Sequence, residues 1–212
     1  MQPDDLLGRL PLVAILRGIK PERAVDVGRI LFDAGIGIIE VPLNSPNPFD
    51  SIANLSAALG ESCLCGAGTV LDSASVRRAH DAGARLIVAP NTNPDVIATA
   101  LERKMIVMPG FATPSEAFAG IRTGATELKL FPASTFGPDY LRALKSVLPA
   151  DARVYAVGGV GAEQVSAWLA AGASGFGFGS ELFRPDYAER DIAARASRLV
   201  ETLRRAIDAQ QR

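Results

Sequence analysis

Short apolar runs rich in β-branched residues alternate along this chain with longer segments whose apolar positions return every three or four residues. The short runs are Leu12–Leu16, Ile36–Val41, Cys63–Ala67, Leu86–Ala89, Ile106–Met108, Glu127–Phe131, Arg153–Val157 and Gly175–Phe178. Their length and composition predict eight strands. The longer segments carry helix starts. Thr113-Pro114-Ser115-Glu116 combines a capping box with proline at the first helical position, and Asn93-Pro94-Asp95 supplies a cap one unit earlier. Helix ends recur too. A small residue followed by glycine stands at Ala34-Gly35, Ala82-Gly83, Thr123-Gly124 and Ala171-Gly172, each ahead of an even-numbered strand. Glycine just beyond a helix takes the left-handed conformation that stops it, and this recurrence predicts a fold built from repeated quarters.

Strand alternating with helix implies a parallel sheet, for which two closures compete. An open doubly wound sheet usually carries a glycine-rich dinucleotide turn after its first strand, whereas that turn here reads Leu16-Arg17-Gly18-Ile19-Lys20. Eight units in 212 residues instead suit a compact (β/α)8 barrel, close to the lower limit of about 200 residues for that fold. No proline- or serine-rich linker divides the chain, so residues 1–212 read as a single (β/α)8 TIM barrel domain of class α/β.

Composition narrows function more than fold. The 22 Lys and Arg nearly balance the 23 Asp and Glu, in no long run, which leaves no electrostatic footprint for nucleic acid or an anionic membrane. The longest uncharged stretch, Gln164 to Ser180, is 17 residues broken by four glycines, too short to span a bilayer. One His (His80) cannot build a multi-His zinc site, and with Cys63 and Cys65 it makes a poor ligand set. We read the two cysteines as core and His80 as helix surface. Two cysteines one residue apart are no disulfide framework, and Met1-Gln2-Pro3-Asp4-Asp5 is acidic where a secretory signal is basic. A cytoplasmic setting is expected.

Barrels place their chemistry at the C-terminal ends of the strands. In Glu127-Leu128-Lys129-Leu130-Phe131 the alternation turns Leu128 and Leu130 toward the helices and Lys129 inward. An ammonium in that position loses hydration, so its pKa falls from about 10.4 toward neutrality. The free amine can then attack a carbonyl and form a Schiff base; a structural lysine paired with a carboxylate is the competing reading. Glu40, between Ile39 and Val41, faces inward by the same parity, either as an ion-pair partner of Lys129 or as a proton shuttle beside an imine. Glu127 shares the parity one layer deeper. Val157-Gly158-Gly159 and Gly177-Phe178-Gly179-Ser180 follow strands seven and eight, where barrels often bind phosphate through backbone N–H groups, though a Gly-Gly pair is also an ordinary turn. Arg17, ending strand one, suits a carboxylate or phosphate bidentately, or a salt bridge with Glu40. Thr69 offers a hydroxyl at the mouth, or a helix cap.

Four motifs stand in order: Ile39-Glu40-Val41-Pro42-Leu43-Asn44-Ser45, Gly66-Ala67-Gly68-Thr69-Val70-Leu71, Leu128-Lys129-Leu130-Phe131-Pro132-Ala133 and Ala156-Val157-Gly158-Gly159-Val160. Together they closely resemble the 2-dehydro-3-deoxy-6-phosphogluconate/galactonate aldolase family, over about Leu10 to Arg205. The resemblance implies a class I aldolase of the (β/α)8 fold, usually a homotrimer. It also implies no metal and no other cofactor, and a phosphorylated keto-deoxy sugar acid as substrate. Carried over by motif, Lys129 is expected to form the Schiff base and Glu40 to be the general acid/base. Arg17 and Thr69 are expected near the substrate carboxylate, Gly159, Gly179 and Ser180 around its phosphate, and Val157 beside its C4 region, with Gly158 also in contact with substrate.

Two departures refine this. The gluconate branch usually continues its second strand as Glu-Val-Thr-Leu-Arg-Thr, so Asn44 stands where an arginine helps hold the carboxylate. Its Pro-Thr-Gly-Gly after strand seven is here Ala156-Val157-Gly158-Gly159. Both departures resemble the galactonate branch. Losing one hydroxyl contact near C4 changes discrimination by only about 1–3 kcal/mol, so activity on the C4 epimer is expected as well. Phosphate-binding barrels of other chemistry (isomerases, decarboxylases, thiamine-phosphate-synthase-like transferases) share the glycine-rich loops without needing Lys129. A non-catalytic sugar-phosphate-binding barrel would leave the inward Glu–Lys pair without a role.

Overall fold

The computed structural model describes residues 10–210; the acidic start at Met1–Asp5 lies outside them. Strands and helices alternate as β1 (Leu12–Ile15), α1 (Pro21–Asp33), β2 (Ile38–Pro42), α2 (Pro48–Leu59), β3 (Leu64–Gly68), α3 (Ser73–Asp81), β4 (Leu86–Val88) and α4 (Pro94–Glu102). There follow β5 (Ile106–Met108), β6 (Gly110–Phe111), α5 (Pro114–Arg122), β7 (Glu127–Leu130), α6 (Ala133–Lys145), β8 (Arg153–Val157), α7 (Val165–Ala170), β9 (Gly175–Phe178) and α8 (Glu189–Gln210). Every strand pairing is parallel.

The strand order β5-β4-β3-β2-β1-β9-β8-β7-β6 runs round a (β/α)8 ring. Its fifth stave is interrupted: the expected fifth strand is present, but β5 and β6 are its two halves, joined at Pro109. On one side the Ala89 N–H donates to the Met108 carbonyl at 3.1 Å, and on the other the Lys129 N–H donates to the Pro109 carbonyl at 2.8 Å. Proline has no N–H to give a ladder, so the strand breaks there while its carbonyls still close the ring. The other predicted strands lie within two residues of their expected limits.

Alternation sorts the side chains into two layers. Leu12, Ala14, Ile39, Val41, Leu128 and Leu130 pack outward under the helices. Val13, Ile15, Ile38, Leu64, Leu86, Val88, Met108, Tyr155 and Val157 fill the barrel. Each large apolar side chain so buried contributes about 1.5–3 kcal/mol relative to exposure. Helix α8 presents Ile192, Ala196, Leu199, Val200 and Leu203 on one stripe and packs on α1 and α7. Cys63 and Cys65 are buried free thiols, and His80 is exposed on α3. Among the described residues, no helix is long and apolar enough to cross a membrane.

The punctuation read from the sequence forms these caps. Thr113 and Glu116 bond reciprocally at the start of α5, and the Asn93 side chain accepts from the Asp95 N–H at the start of α4. Gly35, Gly83, Gly124 and Gly172 have φ of 101°, 89°, 106° and 95°, a region that L side chains avoid. Each therefore ends its helix and turns the chain into the next strand, and Gly124 in this way delivers β7 with Lys129 on its inner face.

Candidate active site

A cavity of about 350 Å³ opens at the C-terminal ends of the strands. Lys129 and Glu40 stand at its floor, with 6% and 2% of their surface exposed. Both face inward as the parity predicts. Burial pushes the Lys129 ammonium below its ordinary pKa; the Glu40 charge pulls it back and Arg17 lowers it further. Its Nζ lies 4.6 Å from the centroid of the Phe131 ring, a cation–π contact that favours the charged form. Burial raises Glu40 from 4.5 to about 7, opposed by the positive charges of Lys129 and Arg17. Glu40 Oε2 is buried without a hydrogen-bond partner. Among the described residues the two groups form no contact ion pair, so they interact through space. One layer deeper, Glu127 pairs with Arg153 at 3.5 Å, below the cavity.

Arg17 sits on the rim, exposed, with its guanidinium held from one side. It donates to Asn44 Oδ1 at 2.5 Å and to Thr69 Oγ1 at 3.4 Å, and makes no ion pair with Glu40. Beside it the Gly18 N–H donates to the hydroxyl of buried Ser45 at 2.9 Å. Asn44-Ser45 thus ties the loop after β1 to the loop after β2. Asn44, noted in the sequence only as a missing arginine, is a partner of the remaining one. Thr69 does not line the cavity and does not cap α3, whose cap is Asp72. It stands behind Arg17 with φ of 55°, a left-handed conformation that costs a β-branched residue about 1–2 kcal/mol. Such strain persists where the surroundings enforce it.

The wall after the neighbouring staves β9 and β8 is glycine-rich. Val157, Gly158 and Gly159 line it from β8, and Gly179 and Ser180 from β9. Gly158 and Gly159 have φ of 94° and 71°, and a Cβ on Gly159 would lie 2.4 Å from Ser134 Oγ. This turn requires glycine twice. Phe131, Val160, Glu163 and Glu181 also line the cavity, with no sign of it in the sequence pattern. Glu163 reads from sequence as an ordinary acidic residue in a first helical turn, which it also is; only the folded chain brings it to the rim. The arrangement is an amine with depressed basicity, a carboxyl poised near neutrality, a guanidinium at the rim and a backbone-lined recess. It suits covalent capture of a carbonyl followed by proton transfer. Among the described residues no three His, Cys, Asp or Glu are grouped to hold a metal ion.

Comparison with known proteins gives the same direction. The family model described as KDPG and KHG aldolase matches residues 4–199. The chain is 47% identical over 186 residues to a probable 2-dehydro-3-deoxy-6-phosphogalactonate aldolase of Rhizobium meliloti strain 1021, covering 88% of each chain. It is 45% identical over 199 residues to the 2-dehydro-3-deoxy-6-phosphogalactonate aldolase of Escherichia coli K12, covering 94% of this chain and 97% of that one. A solved structure described as native KDPGal superposes with a TM-score of 0.93 at 44% identity, over 94% of this chain and 97% of the other.

The raised pKa of Glu40 has a measurable consequence. The unfolded residue releases its proton near 4.5 and the folded one near 7, so between those values the folded state binds more protons. The stability that this group contributes is full below about 4.5 and is lost as the pH rises through about 7. Glu40→Gln cannot titrate. In urea unfolding at pH 5 and pH 8, the stability of the variant relative to the parent should rise with pH, by on the order of 3 kcal/mol. An unchanged gap would contradict the burial argument.

Proposed function

On the premise that this chain belongs to the KDPG and KHG aldolase family, we propose that it is a class I aldolase cleaving 2-dehydro-3-deoxy-6-phosphogalactonate to pyruvate and glyceraldehyde 3-phosphate. The observation that carries the chemistry is the buried Lys129, its ammonium destabilised, beside a buried Glu40 that titrates at about 7. The Lys129 amine adds to the C2 ketone and loses water to form an iminium. Glu40, through a bridging water, takes the proton of the C4 hydroxyl, and the C3–C4 bond breaks. Its electron pair flows into the iminium to give the pyruvate enamine, and glyceraldehyde 3-phosphate departs. Glu40 then returns a proton to C3, and water hydrolyses the imine to free pyruvate and Lys129. A carboxyl near neutrality is suited to both proton steps. The imine itself is the electron sink, so the reading calls on no metal and no other cofactor.

Arg17 receives the substrate carboxylate, its guanidinium aimed by Asn44 and backed by Thr69. The recess of Gly158, Gly159, Gly179 and Ser180 receives the phosphate through backbone N–H groups and a hydroxyl. Val157 lies beside C4, where a hydroxyl would otherwise be offered to one epimer. The substrate assignment is supported by the names of the two relatives and by Asn44 and Val157, the two positions that depart from the gluconate branch. The chain is read further as one domain over residues 1–212, a homotrimer and cytoplasmic, with no nucleic acid or membrane as partner. These readings rest on the resemblance and on the balanced charge.

Borohydride reduction in the presence of pyruvate should fix a pyruvyl adduct on Lys129, located by peptide mass, and Lys129→Ala should lose the adduct and cleavage together. An adduct elsewhere, or an active Lys129→Ala, would sink the mechanism. Lactate-dehydrogenase-coupled assays on both C4 epimers should show a higher kcat/KM for the galacto compound, and Val157→Thr should narrow that ratio by about tenfold to a hundredfold. A gluco preference in the parent would reverse the substrate assignment. Light scattering should give three times the chain mass of 22.3 kDa.

A further inference from the structure

We propose that Gly68 is the positioning residue for Glu40: its bare α-carbon is the seat of the carboxylate and sets where the proton is handled. The catalytic half of this inference rests on the reading of Glu40 as the acid/base. In the β2–β3 register Glu40 pairs with Gly66 and Pro42 with Gly68. The Glu40 side chain therefore leans two residues toward the mouth and comes to lie on Gly68. A Cβ there would be 1.9 Å from Oε2, 2.3 Å from Cδ and 2.5 Å from Oε1. All three atoms of the carboxylate occupy the volume that any other residue would fill.

The demand at Gly68 is for space. The residue lies within a β-strand, and its φ is outside the positive region where glycine is required for the backbone itself. Gly66 is the contrast: a Cβ there would meet the Leu86 backbone carbonyl at 2.5 Å, so its absent side chain serves the sheet. At Gly68 the three nearest atoms all belong to the reacting carboxylate. Because Glu40 Oε2 is buried with no hydrogen-bond partner, donors do not hold this oxygen where it lies. Donors would also favour the ionised form and draw the group back toward the ordinary carboxylate range. A steric seat places the carboxylate without drawing it back toward the ordinary range.

The test is a double-mutant cycle read by urea unfolding, joined to two chemical readouts. Gly68→Ala should lower the unfolding midpoint in the parent and leave it nearly unchanged in a Glu40→Ala background, because the added methyl then meets no carboxylate. An equal loss in both backgrounds overturns the inference. If Gly68→Ala alone does not accumulate as folded protein, recovery in the double variant supports it and failure to recover overturns it. In the folded Gly68→Ala variant, borohydride should still trap pyruvate on Lys129 within a few-fold of the parent. Exchange of the pyruvate methyl protons with deuterated water, which needs the base, should fall by about tenfold or more. A merely structural role would lower trapping and exchange together and so overturn it. Exchange lost in Glu40→Gln but parental in Gly68→Ala overturns this inference alone. Parental exchange in Glu40→Gln overturns the acid/base reading and this inference with it.

Discussion

Two opposite charges are held inside a ring of apolar strands without touching, and much else in this barrel follows from keeping them there. Moving either group alone out of water would cost several kcal/mol. Their attraction offsets part of that cost, and the remainder shows as displaced basicity, lower for Lys129 and higher for Glu40. A contact ion pair would recover more energy and leave both groups less reactive. The separation is enforced from outside the pair. Lys129 is fixed by the β7 ladder, where its N–H meets the Pro109 carbonyl and its strand continues into the Phe131 ring beneath Nζ. Glu40 is fixed by β2 and the flat surface of Gly68. Arg17, tied to Asn44 and Thr69, adds a third charge at the rim that favours carboxylate over ammonium in both neighbours.

The glycine-rich recess works by different physics. There the chain withdraws side chains altogether, and two successive glycines in the positive-φ region expose backbone that no other residue could present. One wall thus offers fixed charge and the other offers neutral dipoles. A ligand carrying a carboxylate at one end and a phosphate at the other would be oriented by that difference, since the guanidinium follows β1 and the glycine turns follow the neighbouring staves β8 and β9.

What could be read from the sequence was what depends on local periodicity. Period-two alternation is decided within five residues, so the inward faces of Lys129 and Glu40 follow from their leucine, isoleucine and valine neighbours. The helix-ending glycines follow from backbone sterics in the same way. What depends on two distant segments meeting was not readable. The Arg17–Asn44 bond joins residues 27 apart, and Thr69 was placed at the mouth without any indication that it would stand behind Arg17. The broken fifth stave has a visible sign in Pro109, directly after the predicted run Ile106–Met108, but a proline there reads equally as the end of a strand or as an interruption within one. Glu163, in a short helical turn after β8, and Glu181, in the turn after β9, reach the rim through the path of the folded chain, which composition does not describe.

The recurring glycines have one more consequence. Counting five residues on from each (35 to 40, 83 to 88, 124 to 129 and 172 to 177) lands on Glu40, Val88, Lys129 and Gly177. These are the equivalent positions of the four even staves, and inward residues of alternate staves form a layer of four in such barrels. The same ruler therefore places a carboxylate, a hydrocarbon, an amine and a void around one circle. Val88 belongs to the packed interior, while Gly177 lines the cavity. One layer of the repeat has been differentiated: two corners carry ionisable groups, one is packed hydrocarbon, and one is left without a side chain where the cavity opens.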